Sequence, residues 1–276
     1  MSSILNNLAA MNASRQLALT GTNLSQTIQR LTTGKRINTA ADDAAGLAIS
    51  NKLGADIKVA GQAQRNANDG VSYLQVADGA LDEVTNLLTR ASQLAQQAQT
   101  GTISNSNRAD LDAEFQNILT TLVNIGTNTN FNGQAIFNST GLSTSVSVQA
   151  GDYGNITVSI DAVASSSVTA LGLTEVTNNL LTANSAATVA SSLATALASV
   201  STMRASIGAD ESQLNSTSDI LGIQVQNFTA ASSQITDANI ADEVVNLTKF
   251  QILNQSGTSA LSKSNQSAQQ VLALLQ

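Results

Sequence analysis

Apolar residues step along most of this chain by threes and fours, in two long blocks set either side of a stretch that alternates every second residue. Steps of three and four keep one face of an α-helix apolar, whereas strict alternation marks a half-buried strand. A first helix is expected over 1–33, where Leu17, Leu24, Ile28 and Leu31 form a stripe preceded by Ile4, Leu8 and Met11. Its other face is Asn, Ser, Gln and Thr, so ion pairs add little and the helix is marginal alone in water. Gly34 interrupts the pattern, and Asp42 and Asp43 stand where a helix restarts. From Gly46 to Ala98 the spacing holds through Ile49, Leu53, Ala60, Ala63, Ala67, Leu74, Ala77, Leu81, Val84, Leu88, Ala91, Ala95 and Ala98. One helix of that length runs roughly 80 Å. Small residues on its seam admit a close partner helix, which is a coiled-coil signature.

GTISNSN (101–107) reads as a loop, and a second helix follows through Leu111, Phe115, Ile118, Leu122 and Ile125. Asn132-Gly133 is a strong turn signal. SVSVQAGDYGNITVSID then alternates apolar and polar around AGDYGN, which predicts a β-hairpin, and the Ser/Thr-rich run 163–169 reads as an exposed loop. The helical frame returns at Leu193 and continues through Leu197, Val200, Ile207, Leu214, Leu221, Val225, Phe228 and Ile235. Its phase breaks near Thr236, where Asp237 is the expected cap of a last helix. That helix carries Ile240, Val244, Leu247 and Leu261 and closes on VLALLQ, with Val271, Leu272 and Leu275. The expected fold is therefore mainly α: long antiparallel coiled-coil helices from both chain ends, with a small central β-hairpin region.

Composition narrows the function classes. Of 276 residues, 42% are hydrophobic but only 3% aromatic, and Trp is absent. The apolar share comes from Ala, Leu, Val and Ile, which suits helix-on-helix packing better than the aromatic-rich core of a compact enzyme. Proline is absent, where average usage of about 5% would supply on the order of a dozen; a chain of long helices has reason to exclude it. Cysteine and histidine are absent too, which removes disulfides, thiolate nucleophiles and His-based metal or triad sites. No cofactor is expected.

The net charge is -7, and no Lys or Arg lies between Arg108 and Arg204. A groove that neutralises phosphates needs cations, so nucleic acid is not an expected partner. The N-terminal stretch lacks the basic start and continuous apolar core of a cleaved signal peptide. No run reads as the ~20 apolar residues that span a bilayer, so membrane insertion is not expected.

Two polar clusters invite a chemical reading. Gly34-Lys35 fails as a phosphate loop, because Gln29 and Arg36 stand where that pattern needs Gly and Ser/Thr. Asp42 and Asp43 are adjacent, so on a helix they diverge by about 100° instead of converging as an acid/base pair must. Negative charge at a helix N-terminus is the simpler reading. Lys35 and Arg36 read as solvated, or as facing acidic groups of a neighbour.

With this layout established, RLTTGKRINTAADDAAGLAIS (30–50) resembles the N-terminal signature of the bacterial flagellin family. QRNANDGVSYLQVADGALDEV (64–84) resembles the segment that follows it. VSTMRASIGADESQLNSTSD (200–219), AASSQITDANIADE (230–243), LTKFQILNQSG (247–257) and NQSAQQVLALLQ (265–276) are similar to its C-terminal helices. The likeness spans roughly 1–140 and 190–276. Ala268 stands where the family commonly has Pro, and Ser92 and Gln93 where it often has charge.

The resemblance implies a self-assembling subunit of the flagellar filament, a swimming propeller, with no enzymatic activity. It implies terminal coiled-coil segments 1–33 and 240–276 forming an inner tube, and a connecting spoke over 34–46. It further implies a helical core from 47–140 and 173–239, with a hairpin region at 141–172. Nearly uncharged terminal helices cannot bury their stripes in the monomer, so they are expected to be disordered until polymerisation, which also keeps the chain threadable for flagellar export. The partners implied are copies of the chain itself, an export chaperone on the C-terminal helix, the hook–filament junction protein and a distal cap. Arg90, Leu94 and Glu114 match positions that pack between subunits and through which some flagellins bind an animal innate immune receptor; filament contacts are the first reading. The alternative is a hook–filament junction protein of the same family. The implied location is outside the cell.

Overall fold

The computed structural model describes residues 7–137, 144–149, 155–160 and 179–273. Among these are five long helices: α1 (Leu8–Thr33), α2 (Ala44–Gln99), α3 (Asn105–Asn128), α4 (Ala183–Thr236) and α5 (Ile240–Ala273). Two antiparallel hairpins join them, β1 (Asn130–Phe131) with β2 (Gln134–Ala135), and β3 (Thr144–Gln149) with β4 (Asn155–Ile160). The mainly helical fold is as the sequence pattern predicts, with β3–β4 in the place of the expected central hairpin and β1–β2 formed at the Asn132-Gly133 turn. Two compact units divide the chain, 58–225 and the two ends 1–57 with 226–276.

The 58–225 unit is built on the α2 seam. Ala60, Ala63, Ala67, Leu74, Ala77, Leu81, Val84, Leu88, Ala91, Ala95 and Ala98 are all at most 4% exposed, so the three-four frame is the buried face from Ala60 onward. α4 supplies Leu193, Ala196, Val200, Ile207, Leu214 and Leu221 from the opposite side. It runs antiparallel to α2, with Arg204 meeting Asp78 and Gln99 donating to the Ala186 carbonyl. α3 adds Phe115, Ile118, Leu119 and Leu122. Each fully buried Leu or Phe contributes about 1.5–3 kcal/mol, so this unit has a core of its own.

α4 also contains a stretch long and apolar enough, by length and composition alone, to cross a membrane, which the sequence reading missed. Closely spaced Ala and Val raise its hydropathy, and its Leu193, Ala196 and Val200 are buried in this core.

Ser104 caps α3, accepting from the Asn107 amide, and shortens the expected loop. Arg108 is buried there. Its guanidinium donates to the Ala98 and Thr100 carbonyls and to Asn105 Oδ1, closing the end of α2 onto the start of α3. Asn132 (φ 51°) and Gly133 (φ 78°) both adopt left-handed backbone, as a two-residue hairpin turn requires. This seats Phe131 edge-on to Tyr73, ring centres 5.8 Å apart. β3 and β4 pair from Thr144↔Ile160 to Gln149↔Asn155. The turn between them and the 163–169 run lie outside the described residues.

In the unit formed by the chain ends, α1 and α5 pair antiparallel. Asn7 Nδ2 donates to the Ser264 carbonyl, Leu17 lies against Gly257, and Arg30 meets Glu243.

Candidate functional site

The α1/α5 seam is half polar. Leu17, Leu24 and Leu31 are half-buried, but the fully buried positions are Thr20 and Thr27 on α1 and Glu243 on α5. Arg30 Nη1 lies 3.4 Å from Glu243 Oε1, while Glu243 Oε2 is buried with no hydrogen-bond partner. Leu247 and Leu261 are half-buried. Ile28 and Val244, expected on the buried stripe, are 47% and 45% exposed. Val271 and Leu272 fall in α5 and Leu275 beyond it, and their side chains lie outside the described residues.

On the far sides of the pair stand Leu8, Met11 and Leu19 of α1 and Val245 and Ile252 of α5, all more than half exposed. Among the described residues, every buried hydrophobic side chain of the whole chain lies between Ala60 and Leu221 except Ile37. The terminal pair therefore has helices without a core, and apolar faces without a cover.

Backbone hydrogen bonds fix the joint between α1 and α2. Gly34 (φ 69°) ends α1 in left-handed backbone, its amide donating to the Arg30 carbonyl. Lys35 and Asp237 then form an antiparallel bridge, in which the Arg36 amide donates to the Thr236 carbonyl and the Ala238 amide to the Gly34 carbonyl. The Arg36 guanidinium donates to the Ile235 carbonyl, while the Lys35 side chain is exposed.

Asp42 and Asp43 do different work. Asp42 Oδ2 accepts from the Asn38 and Thr39 amides and the Thr39 hydroxyl. The Thr39 amide, then the Asn38 amide, hold its carboxyl below the usual range. Asp43 Oδ1 accepts from the Gly46 amide and is the N-cap of α2. A Cβ on Gly46 would sit 2.5 Å from the Asp43 carboxylate and 2.7 Å from Ile37 Cδ1, so a larger residue beneath this cap requires both side chains to shift. At the start of α5 the cap is Asn239, which accepts from the Ala241 amide. Asp237, the residue expected there, instead accepts from Ser233 and Thr236 at the end of α4.

Arg90 and Glu114 are exposed and paired at 2.7 Å across α2 and α3. Leu94 is not on their surface: at 1% exposed it belongs to the core beneath them. Among the described residues no cluster of three Asp or Glu is placed to hold a metal.

Comparison with known proteins matches both helical ends of the chain. Residues 4–142 match the family described as the bacterial flagellin N-terminal helical region, and residues 191–275 its C-terminal helical region. The chain is similar to a flagellin of Halalkalibacterium halodurans, 36% identical over 99% of both chains. It is also similar to flagellin FlaB1 of Treponema pallidum, 33% identical over 99% of both. The crystal structure of Bacillus cereus flagellin aligns with 31% identity over 61% of this chain and 94% of that one, at a TM-score of 0.47.

Proposed function

We propose, for a chain that belongs to the bacterial flagellin family and is a structural subunit of the flagellar filament, that its two ends are the assembly element and fold fully only in the polymer. The observation that carries this is the absence, among the described residues, of buried apolar side chains in the α1/α5 pair, together with its exposed Leu8, Met11, Leu19, Val245 and Ile252. Two helices whose seam buries Thr and Glu gain too little to offset the ordering of their backbone, roughly 1–2 kcal/mol per residue. Neighbouring copies supply the missing surface. Contacts of this kind are heterologous, and on a helical lattice they extend without closing.

The remaining roles follow from that reading. Residues 1–33 and 240–276 form the inner tube, 34–46 the spoke, 47–140 and 173–239 the helical core, with the hairpin region at 141–172. Gly34, Lys35, Arg36, Asp42 and Asp43 set the joint between tube and core. Export delivers the chain unfolded to the distal tip outside the cell, a chaperone covers the C-terminal helix beforehand, and junction and cap proteins bound the filament. Arg90 and Glu114 face a neighbouring subunit, with an animal immune receptor as a second occupant of that surface, and Leu94 supports the pair from below. The chain is not an enzyme; without His or Cys it has few groups suited to acid–base or nucleophilic chemistry near neutral pH.

The test is elongation from sonicated filament seeds, followed by negative-stain electron microscopy. Long tubes are expected from the purified chain. A soluble monomer beside intact seeds would point instead to the junction protein.

A further inference from the structure

Of the 17 glycines, Gly133 alone follows an asparagine. An Asn-Gly step is chemically fragile, because no side chain on the glycine shields its amide nitrogen from the neighbouring carboxamide. When that nitrogen attacks the asparagine Cγ, a five-membered succinimide forms, the bond from Cγ to the side-chain nitrogen breaks, and ammonia leaves. Water then adds to one ring carbonyl and opens the ring. The product is aspartate or isoaspartate; in the latter the main chain runs through the side-chain carboxyl and is one carbon longer.

The step lies on the surface here. Asn132 and Gly133 are both exposed, and a Cβ built on Gly133 meets no atom of a non-neighbouring residue within 4 Å. Solvent reaches the amide, but the backbone opposes the reaction. The φ values of 51° and 78° are those of a type I′ turn, in which ψ of the first central residue is about +30°. Viewed along the Cα–C bond, this sets the Gly133 nitrogen nearly opposite Asn132 Cβ. Ring closure needs the two eclipsed, so the turn has to open first. Pairing of Asn130 with Ala135 and of Phe131 with Gln134 holds it shut, as does the Ile136 amide donating to the Thr129 carbonyl at 3.1 Å.

The same hairpin seats Phe131 against Tyr73 and leads into Ile136 and Phe137, both fully buried. Aspartate at 132 keeps this turn, because Asp-Gly suits left-handed backbone as Asn-Gly does. A two-residue turn has no room for the extra main-chain carbon of isoaspartate.

We propose that Asn132 is a spontaneous deamidation site gated by the β1–β2 hairpin. It is unreactive while the strands are paired and reactive whenever they part. Once converted to isoaspartate, it no longer re-forms the turn. The hairpin thus separates chains that folded promptly from chains that stayed open. No neighbouring copy enters this inference, so it stands apart from the filament reading.

Hydroxylamine tests the gate, because it opens the same succinimide and severs the chain, leaving a hydroxamate on residue 132 and a free amine on Gly133. In denaturant, the full chain should give two fragments, 1–132 and 133–276, on a gel. Without denaturant, and with its far-UV helix signal retained, it should be cut at least about tenfold more slowly, since attack waits on local opening. N132Q, whose carboxamide stands one methylene further away, should stay whole in both. Equal cleavage of native and denatured chain would overturn the gate, and no cleavage in denaturant would overturn the site. The product is tested by ageing the chain in denaturant at mildly alkaline pH and refolding it. Chains that mass spectrometry shows to carry isoaspartate at 132 should then unfold at a lower temperature than fresh chains, while N132Q aged alike keeps its own. An unchanged unfolding temperature would overturn the effect on the turn.

Discussion

Arg30 of α1 reaches Glu243 of α5 at 3.4 Å, and this is the one ion pair across the terminal helices among the described residues. Glu243 is 8% exposed and its second oxygen has no partner. Removing one member of such a pair strands the other, whereas replacing both with apolar groups does not. R30A is therefore expected to weaken filaments by about 2 kcal/mol per subunit, lowering their dissociation temperature. R30M/E243L should dissociate at or above the wild-type temperature. Equal losses in both variants would show that the pair contributes through its charge.

The Asp43 cap and Gly46 are coupled through space. D43A removes the acceptor for the Gly46 amide and should cost about 1 kcal/mol. G46A should cost more, because its methyl group meets both the capping carboxylate and the buried Ile37 side chain, and overpacking of this kind costs about 1–3 kcal/mol. Thermal dissociation of filaments ranks the two. A G46A filament as stable as wild type would mean that Ile37 moves aside freely.

Asp42 gives the joint an acid limit. Its carboxylate is held below the ordinary range by the Thr39 and Asn38 amides. A depressed folded-state value contributes stability that is fully present above the unfolded value, about pH 4, and is lost as pH falls through the folded value. Filament stability measured from neutral pH downward should therefore fall below about pH 4, and part of that fall should be missing in D42N. D42N itself should be less stable at neutral pH. An identical pH profile in the two would remove Asp42 from the account.

What the sequence made legible is the seam. Ala60 to Ala98 and Leu193 to Leu221 lie on the buried face because a three-four frame sustained over many turns admits one face only. Residues outside that frame were harder to place. Leu94 sits beside the seam, and its burial depends on α3, a third helix that the periodicity of α2 alone does not announce. Arg108 carried no role in the sequence pattern, because the Ala98 and Thr100 carbonyls its guanidinium satisfies are brought to it only by the turn that ends α2. Asn239 and Asp237 are both good caps two residues apart, and the choice between them was settled by the Lys35–Asp237 bridge, formed by residues distant in sequence. Ile28 and Val244 fit the period of their helices, but a period does not give the width of the face a partner covers.

The central claim is that α1 and α5 become stable only against neighbouring copies. Amide hydrogen exchange of monomer and filament, resolved by peptide, tests it most directly. Peptides from 60–99 and 193–221 should be protected in both states, whereas those from 8–33 and 240–267 should exchange freely in the monomer and become protected in the filament. Terminal peptides as protected in the monomer as the 60–99 core would contradict it.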